Sequence, residues 1–112
     1  MRLPVKTKPV GIILNPVVDE WHFATRHPGF QDYLNAFNGS LEASLNPERE
    51  IARAFFGQHG WPYLDLHALM SAEPQKYVLP EDGIHLNLTG HALFAQEMFH
   101  LLDGLLSGSR GA

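Results

Sequence analysis

The stretch that decides the fold lies near the C-terminus and reads Glu81-Asp82-Gly83-Ile84-His85-Leu86-Asn87-Leu88-Thr89-Gly90-His91-Ala92. Asp82 stands three residues before His85, and an apolar run with a helical pattern follows at once. A hydrolase needs such a pair, because the carboxylate can hold one imidazole nitrogen while the other takes a proton from a nucleophile. The same spacing also fits a turn acid followed by a surface histidine. On these two residue types alone, both interpretations stay open.

The neighbouring residues favour the catalytic interpretation. The run from Asp82 to Asn87, followed by Gly90-His91 and a helix rich in Ala and Leu, resembles the last sequence block of the SGNH (GDSL-type) esterases and acylhydrolases. This resemblance covers residues 77–106 and is fainter before them. It implies that His85 is the base and Asp82 its orienter in a Ser-His-Asp triad. It also implies a small-molecule, glycan or lipid ester as substrate, with no cofactor and no metal.

The other blocks of that family are not found in these 112 residues. The family takes its nucleophilic Ser from a Gly-Asp-Ser block after the first strand, and its oxyanion donors include a Gly from a second block and an Asn from a Gly-x-Asn-Asp block. The nearest string to the first block is Asn38-Gly39-Ser40-Leu41, which follows no predicted strand and lies only 42 residues before Asp82. Asn15, at the end of a predicted strand, could replace the oxyanion Asn, although no Gly-x-Asn-Asp surrounds it.

The resemblance therefore implies that residues 1–112 form a single partial domain, the C-terminal third of a three-layer α/β/α (flavodoxin-like SGNH) fold. Another chain, or the missing N-terminal half of the domain, would complete its sheet and supply the nucleophile. The chain would then be inactive alone, and both hydrolysis of an ester and transfer of its acyl group are compatible with its residues. The alternative is a non-catalytic α/β remnant that serves as an interaction module.

Two short apolar runs predict parallel strands with flanking helices. Residues 9–14 are continuous, rich in β-branched side chains and bounded by Asn15-Pro16. Residues 61–66 predict the second strand, with Pro62 confined to its first residues. Between them, Asn46-Pro47-Glu48 predicts a helix start, because Asn caps a helix and Pro suits its first position. Gly57 or Gly60 is expected to end this helix. A strand–helix–strand order makes parallel pairing of the two strands the default.

The remaining segments give weaker patterns. Residues 17–45 predict one or two short helices or an ordered loop, residues 68–75 a short helix, and residues 77–80 an extended segment. From about Leu88 the pattern is helical, and residues 107–112 predict a flexible tail. One broad apolar face of this last helix is expected to comprise Ala92, Ala95, Met98, Phe99, Leu102, Leu105 and Leu106.

Composition restricts the partners. Twelve acidic and eight basic residues give a net charge of −4 without a basic cluster, which argues against nucleic acid and anionic membrane surfaces. No apolar run approaches the roughly 18 residues of a membrane span. Residues 1–8 are basic, but the apolar stretch after them is too short for a signal peptide.

The seven histidines show no i, i+4 pair and no His-Glu-x-x-His motif. The absence of cysteine excludes thiolate metal sites and assigns no compartment.

Overall fold

The computed structural model describes residues 9–22, 28–36 and 39–111. The predictions for residues 1–8, and for Phe23, His27 and Phe37, lie outside the described residues. In the described part the chain is mixed α/β, with two parallel strands and flanking helices. The elements are β1 (Gly11–Ile13), a 3-10 turn (Asp19–Trp21), α1 (Pro28–Asn35), α2 (Leu41–His59), β2 (Tyr63–Asp65), α3 (Leu66–Met70), α4 (Pro74–Tyr77) and α5 (Leu88–Gly111).

The two strands pair in parallel, as the sequence predicts. Gly11 lies opposite Tyr63 and Ile13 lies opposite Asp65. Each strand spans three residues rather than the predicted six. The shortening of β1 has a structural cause, because the carbonyl groups of the next two residues, Leu14 and Asn15, accept hydrogen bonds from Arg49 instead of from a strand.

Helices cover both faces of this small sheet. On one face the ring of Phe56 from α2 packs over β1, and a Cβ atom on Gly11 would lie 2.4 Å from that ring. Tyr63, opposite Gly11 in the register, packs against the same ring with centroids 5.7 Å apart. On the other face Leu64 belongs to a buried cluster with Leu66 and Met70, and α5 packs against this cluster. The helix α2 therefore packs over β1 on one face and α5 over β2 on the other, where Ile12 stays partly exposed.

The start of α2 lies earlier than Asn46-Pro47-Glu48 predicts. The helix begins at Leu41 with Ser40 as its N-cap, and Pro47 lies inside it. The Ser40 hydroxyl accepts from the Ala43 N–H at 3.0 Å. The Asp19 carboxylate accepts from the Leu41 N–H at 2.6 Å, and it comes from a different segment. These two caps satisfy the free N–H groups of the first turn. The helix can therefore begin at Leu41, before the start that Asn46-Pro47 predicts. The predicted end is confirmed at Gly60, the left-handed C-cap.

The helix α5 begins where predicted, but the apolar face expected from the sequence is not the face that packs against the core cluster. Asn87 caps its start by accepting from the Gly90 N–H at 2.8 Å. The residues that pack against the core cluster are Leu93, Phe94, Met98 and Leu101. Of the predicted face only Met98 belongs to this set, whereas Ala92, Ala95, Phe99, Leu102 and Leu106 are exposed. Apolar residues occur on several sides of this helix, so the position of β2, rather than the pattern, selects the buried face.

Helical backbone in α5 continues to Gly111 and so occupies most of the segment predicted to be a flexible tail. The flexibility of residues 107–112 stays a prediction. In the part of the chain that the structure describes, no helix combines the length and apolar character that crossing a membrane requires.

Candidate functional site

The segment before α5 is folded into a tight turn that carries Asp82 and His85. An isolated antiparallel bridge pairs Val78 with Leu86, and the Leu79 N–H donates to the His85 carbonyl at 2.7 Å. At the tip, Gly83 adopts a φ of +71°, which L side chains rarely adopt. A Cβ atom there would also lie 2.4 Å from the Val18 carbonyl oxygen. Glycine at position 83 is therefore required both by the turn and by the close approach of another segment.

The Asp82 carboxylate organises this turn. Its Oδ1 accepts from the Ile84 N–H at 2.8 Å and from the His85 N–H at 3.1 Å. Its Oδ2 lies 2.6 Å from Nδ1 of the His85 ring. The Asp82 side chain is mostly covered, whereas the His85 side chain is 75% exposed. The structure thus brings together the two residues that the sequence singles out.

The electrostatics of the pair fix which nitrogen is free. Burial raises the pKa of the Asp82 carboxyl group. The hydrogen bonds from the Ile84 N–H and from the His85 ring and N–H lower it by more, so that the pKa lies below its ordinary value. An ionised carboxylate only accepts, so the proton between the two side chains belongs to Nδ1 of His85. Neutral His85 then presents the lone pair of Nε2 to solvent, which is the form required of a general base.

The site lies at the carboxyl edge of the sheet. Asn15, two residues after β1, donates its Nδ2 to the Ile84 carbonyl at 2.9 Å. The Val18 N–H donates to the Gly83 carbonyl at 2.9 Å. The chain leaving the carboxyl end of β1 is therefore bound directly to the turn, and this is the position that open α/β sheets use for substrates.

No described hydroxyl group meets the free nitrogen of His85. Three serine hydroxyl groups are engaged elsewhere: Ser40 donates to Asp19 Oδ2 at 2.8 Å, Ser44 to the Leu41 carbonyl at 2.7 Å, and Ser71 to the His67 carbonyl. For Ser40 this means a capping role at the start of α2. Within the described residues the pair thus stands without a nucleophile.

Asn15 does not fit the role of an oxyanion donor. Its Nδ2 carries two hydrogens, and the group donates to the Pro16 carbonyl at 3.0 Å and to the Ile84 carbonyl at 2.9 Å. Both donors are engaged within the protein. The amide therefore holds the turn in place instead of facing a substrate.

A second carboxylate–imidazole pair lies nearby, and sequence reasoning missed it. His67 follows β2, and its Nε2 lies 2.6 Å from Oε2 of Glu42 in the first turn of α2. Arg49 also binds Glu42, through two N–H groups at 2.9 and 3.1 Å. The two histidines use opposite nitrogens, since His85 is held through Nδ1. Twenty-five residues separate Glu42 from His67, so no local spacing could have revealed this contact.

Comparisons with known proteins add no family. No protein-family model matches the chain, and neither a curated protein nor a solved structure matches it. Among the described residues, no three His, Asp or Glu side chains come close enough together to hold a metal ion. The resemblance of the Asp82–His85 block to SGNH hydrolases stays a prediction from the sequence.

Proposed function

We propose that the chain is the C-terminal segment of an SGNH-type ester hydrolase and supplies the His base and the Asp orienter of a Ser-His-Asp triad. The observation that carries the proposal is the bond between Asp82 Oδ2 and His85 Nδ1 at 2.6 Å. This bond leaves the other ring nitrogen exposed at the carboxyl edge of the sheet. The substrate would be a carboxylic ester of a small molecule, a glycan or a lipid.

The geometry suits one cycle of acyl transfer. Nε2 of His85 takes the proton of a serine hydroxyl as the serine oxygen bonds to the acyl carbon. The same proton then passes from Nε2 to the oxygen of the leaving alcohol as the ester C–O bond breaks. Asp82 stabilises the imidazolium between these steps without itself being protonated. Water, or an acceptor alcohol, repeats the sequence in reverse to release the acyl group.

The unpaired edge of β1 supports the proposal that the nucleophile lies on another polypeptide segment. Among the described residues β1 has a strand neighbour on one side only, and Ile12 and Leu14 are 40% and 54% exposed. Beside that edge, a cavity of about 70 Å³ between β1 and α2 has room for one small apolar side chain. A parallel strand added here would end at the edge that carries His85, as a serine donor must. A two-fold copy of β1 would run antiparallel and would place its carboxyl end at the opposite edge.

A second candidate function is a non-catalytic interaction module with the same α/β structure. The observation that favours it is the engagement of Ser40, Ser44 and Ser71 in local hydrogen bonds, away from His85. A triad acts as a unit, and without its nucleophile the remaining pair accelerates little. This candidate needs no ester substrate and uses only the exposed apolar surface.

Hydrolysis of p-nitrophenyl acetate tests the two candidates. The 112-residue chain alone should not exceed the buffer control. Activity should appear when a polypeptide that carries the Gly-Asp-Ser block and pairs with β1 is added, and should be lost in His85→Ala but not in His59→Ala, which alters another exposed histidine. If the paired complex is inactive, the interaction module is favoured. Activity that survives His85→Ala would contradict the proposed hydrolase.

A further inference from the structure

The carboxyl end of β1 contains a buried cation whose hydrogen bonds are complete. Arg49 is 2% exposed, and each of its five N–H donors has an acceptor. Nε donates to the Leu14 carbonyl at 3.1 Å. Nη1 donates to Glu42 Oε2 and Asn46 Oδ1, and Nη2 donates to Glu42 Oε1 and the Asn15 carbonyl at 2.7 Å. The guanidinium thus fixes two successive carbonyl groups of the chain that leaves β1.

Glu42 is equally complete as the partner of this cation. Its Oε1 accepts from the Val17 N–H at 2.8 Å and from Arg49, and its Oε2 accepts from Arg49 and lies 2.6 Å from the His67 ring. Burial raises the pKa of the Glu42 carboxyl group. The hydrogen bonds from Val17, Arg49 and His67 lower it by more, so that the pKa lies below its ordinary value. Together, Arg49 and Glu42 bind the backbone at positions 14, 15 and 17.

Asn15 connects this buried ion pair to the turn that carries Asp82 and His85. Its carbonyl accepts from Arg49, and its side-chain amide donates to the carbonyl of Ile84. Ile84 immediately precedes His85, and its N–H donates to Asp82 Oδ1. A continuous series of hydrogen bonds therefore runs from Glu42 through Arg49 and Asn15 to the Asp82–His85 pair.

We propose that Asn15 is a positioning residue for the Asp82–His85 pair, and that the buried Arg49–Glu42 ion pair holds Asn15 in the required place. Its catalytic meaning rests on the proposed hydrolase function. Asp82 and His85 are only three residues apart and can form their bond locally, but that bond alone does not orient Nε2 relative to the sheet. The Asn15 amide supplies this orientation next to the catalytic residues, because it fixes Ile84 to the segment that follows β1, while the Val18 N–H from the same segment holds Gly83.

Asn15→Asp is the sharpest test, since it preserves side-chain size and removes both amide donors. Amide hydrogen exchange measures the result directly at Ile84 and His85, whose N–H groups bond to Asp82. We expect exchange at both positions to accelerate by about tenfold or more, while the amides of Leu93 and Met98 in α5 keep their rates. Arg53→Gln is the control, because Arg53 lies on α2 like Arg49 but pairs with Asp65, so its loss should leave the exchange of both turn amides unchanged.

Two outcomes of the exchange experiment would overturn the proposal. One is unchanged exchange at Ile84 and His85 in folded Asn15→Asp. The other is uniform acceleration that includes Leu93 and Met98, which would indicate a general loss of stability instead of local positioning. Because exchange is read without substrate, the positioning role can stand even if the ester-hydrolysis assay fails. Conversely, an active complex that tolerates Asn15→Asp would retain the proposed function and remove the positioning role.

Discussion

The side-chain amide of Asn15 donates to the carbonyl of Ile84 at 2.9 Å and joins two residues that are 69 positions apart in the chain. This bond anchors a turn whose own order is local, since Asp82 binds the Ile84 N–H and the His85 ring three residues away. The candidate site is therefore held locally by Asp82 and from a distance by Asn15, together with the Val18 N–H that donates to the Gly83 carbonyl. The two side chains can be altered separately.

Asp82→Asn should change the tautomer of His85. The carboxylate accepts the Nδ1 proton, whereas an amide can place an N–H group opposite Nδ1 and so favour the proton on Nε2. Imidazole ¹⁵N shifts, read at a pH where the ring is neutral, should then move from the Nδ1–H to the Nε2–H form. His59, whose Nδ1 lies 2.8 Å from the Phe55 carbonyl, is the internal reference. If His85 keeps the Nδ1–H form in this variant, Asp82 does not orient it.

Gly83→Ala should destabilise the fold by about 2 kcal/mol or more, because a φ of +71° strains any Cβ-bearing residue and the Val18 carbonyl occupies the space. Gly57→Ala is the matched control. Apart from the neighbouring backbone of its own helix, no atom lies within 4 Å of where a Cβ would stand at Gly57, so alanine should stabilise the protein by about 0.5–1 kcal/mol. Urea unfolding of both variants measures the difference. Equal stabilities would show that the turn can move away from Val18.

Glu42→Ala should cost about 3–5 kcal/mol, because it leaves the buried Arg49 without its carboxylate. Glu50→Ala provides the comparison on the same helix. Glu50 is largely exposed and pairs with Arg53, so its loss should change the free energy of unfolding by about 0.5 kcal/mol or less. A small effect of Glu42→Ala would mean that Arg49 reaches water in solution.

Stability should fall with acid in a predictable window. The folded pKa of Glu42 and that of Asp82 lie below their ordinary values of 4.5 and 3.8, so each ionised carboxylate stabilises the folded state above those values. That contribution is lost as pH falls from the ordinary value through the lower folded value. Between pH 6 and pH 3 the free energy of unfolding should therefore fall less in Glu42→Gln than in the parent chain. Parallel pH profiles for the variant and the parent chain would contradict the lowered pKa of Glu42.

The chain should associate at high concentration through the open edge of β1, where Ile12 and Leu14 are exposed. Ile12→Lys places a charge at this edge and should reduce the association seen by light scattering. Phe99→Lys is the control, since it removes an exposed apolar side chain from α5 and leaves β1 unchanged. A monomer at all concentrations would weaken the idea that another strand completes the sheet.

Local features of the structure follow from short-range sequence signals. The apolar runs beside Asn15 and after Gly60 identify both strands, and Asn87 marks the start of α5. The spacing of Asp82 and His85 predicts their contact, because a carboxylate three residues before an imidazole can reach it through one turn. The SGNH similarity itself stays a prediction from these residues.

Other features depend on contacts between distant segments. Asp19 and Ser40 start α2 six residues before Pro47, although the proline and its neighbours carry the stronger local signal. The buried face of α5 is chosen by the position of β2, since apolar residues lie on several sides of that helix.

The sequence by itself therefore determined the strands, the parallel pairing and the Asp82–His85 pair, since each depends on neighbours or on the order of elements. Only the tertiary structure decided how that pair is held. Glu42, Arg49 and Asn15 meet because β1 and α2 pack together, and the bonds from these residues to His67 and Ile84 span 25 and 69 residues. Polar groups enclosed in that packing must satisfy one another, and no local pattern encodes which ones will meet.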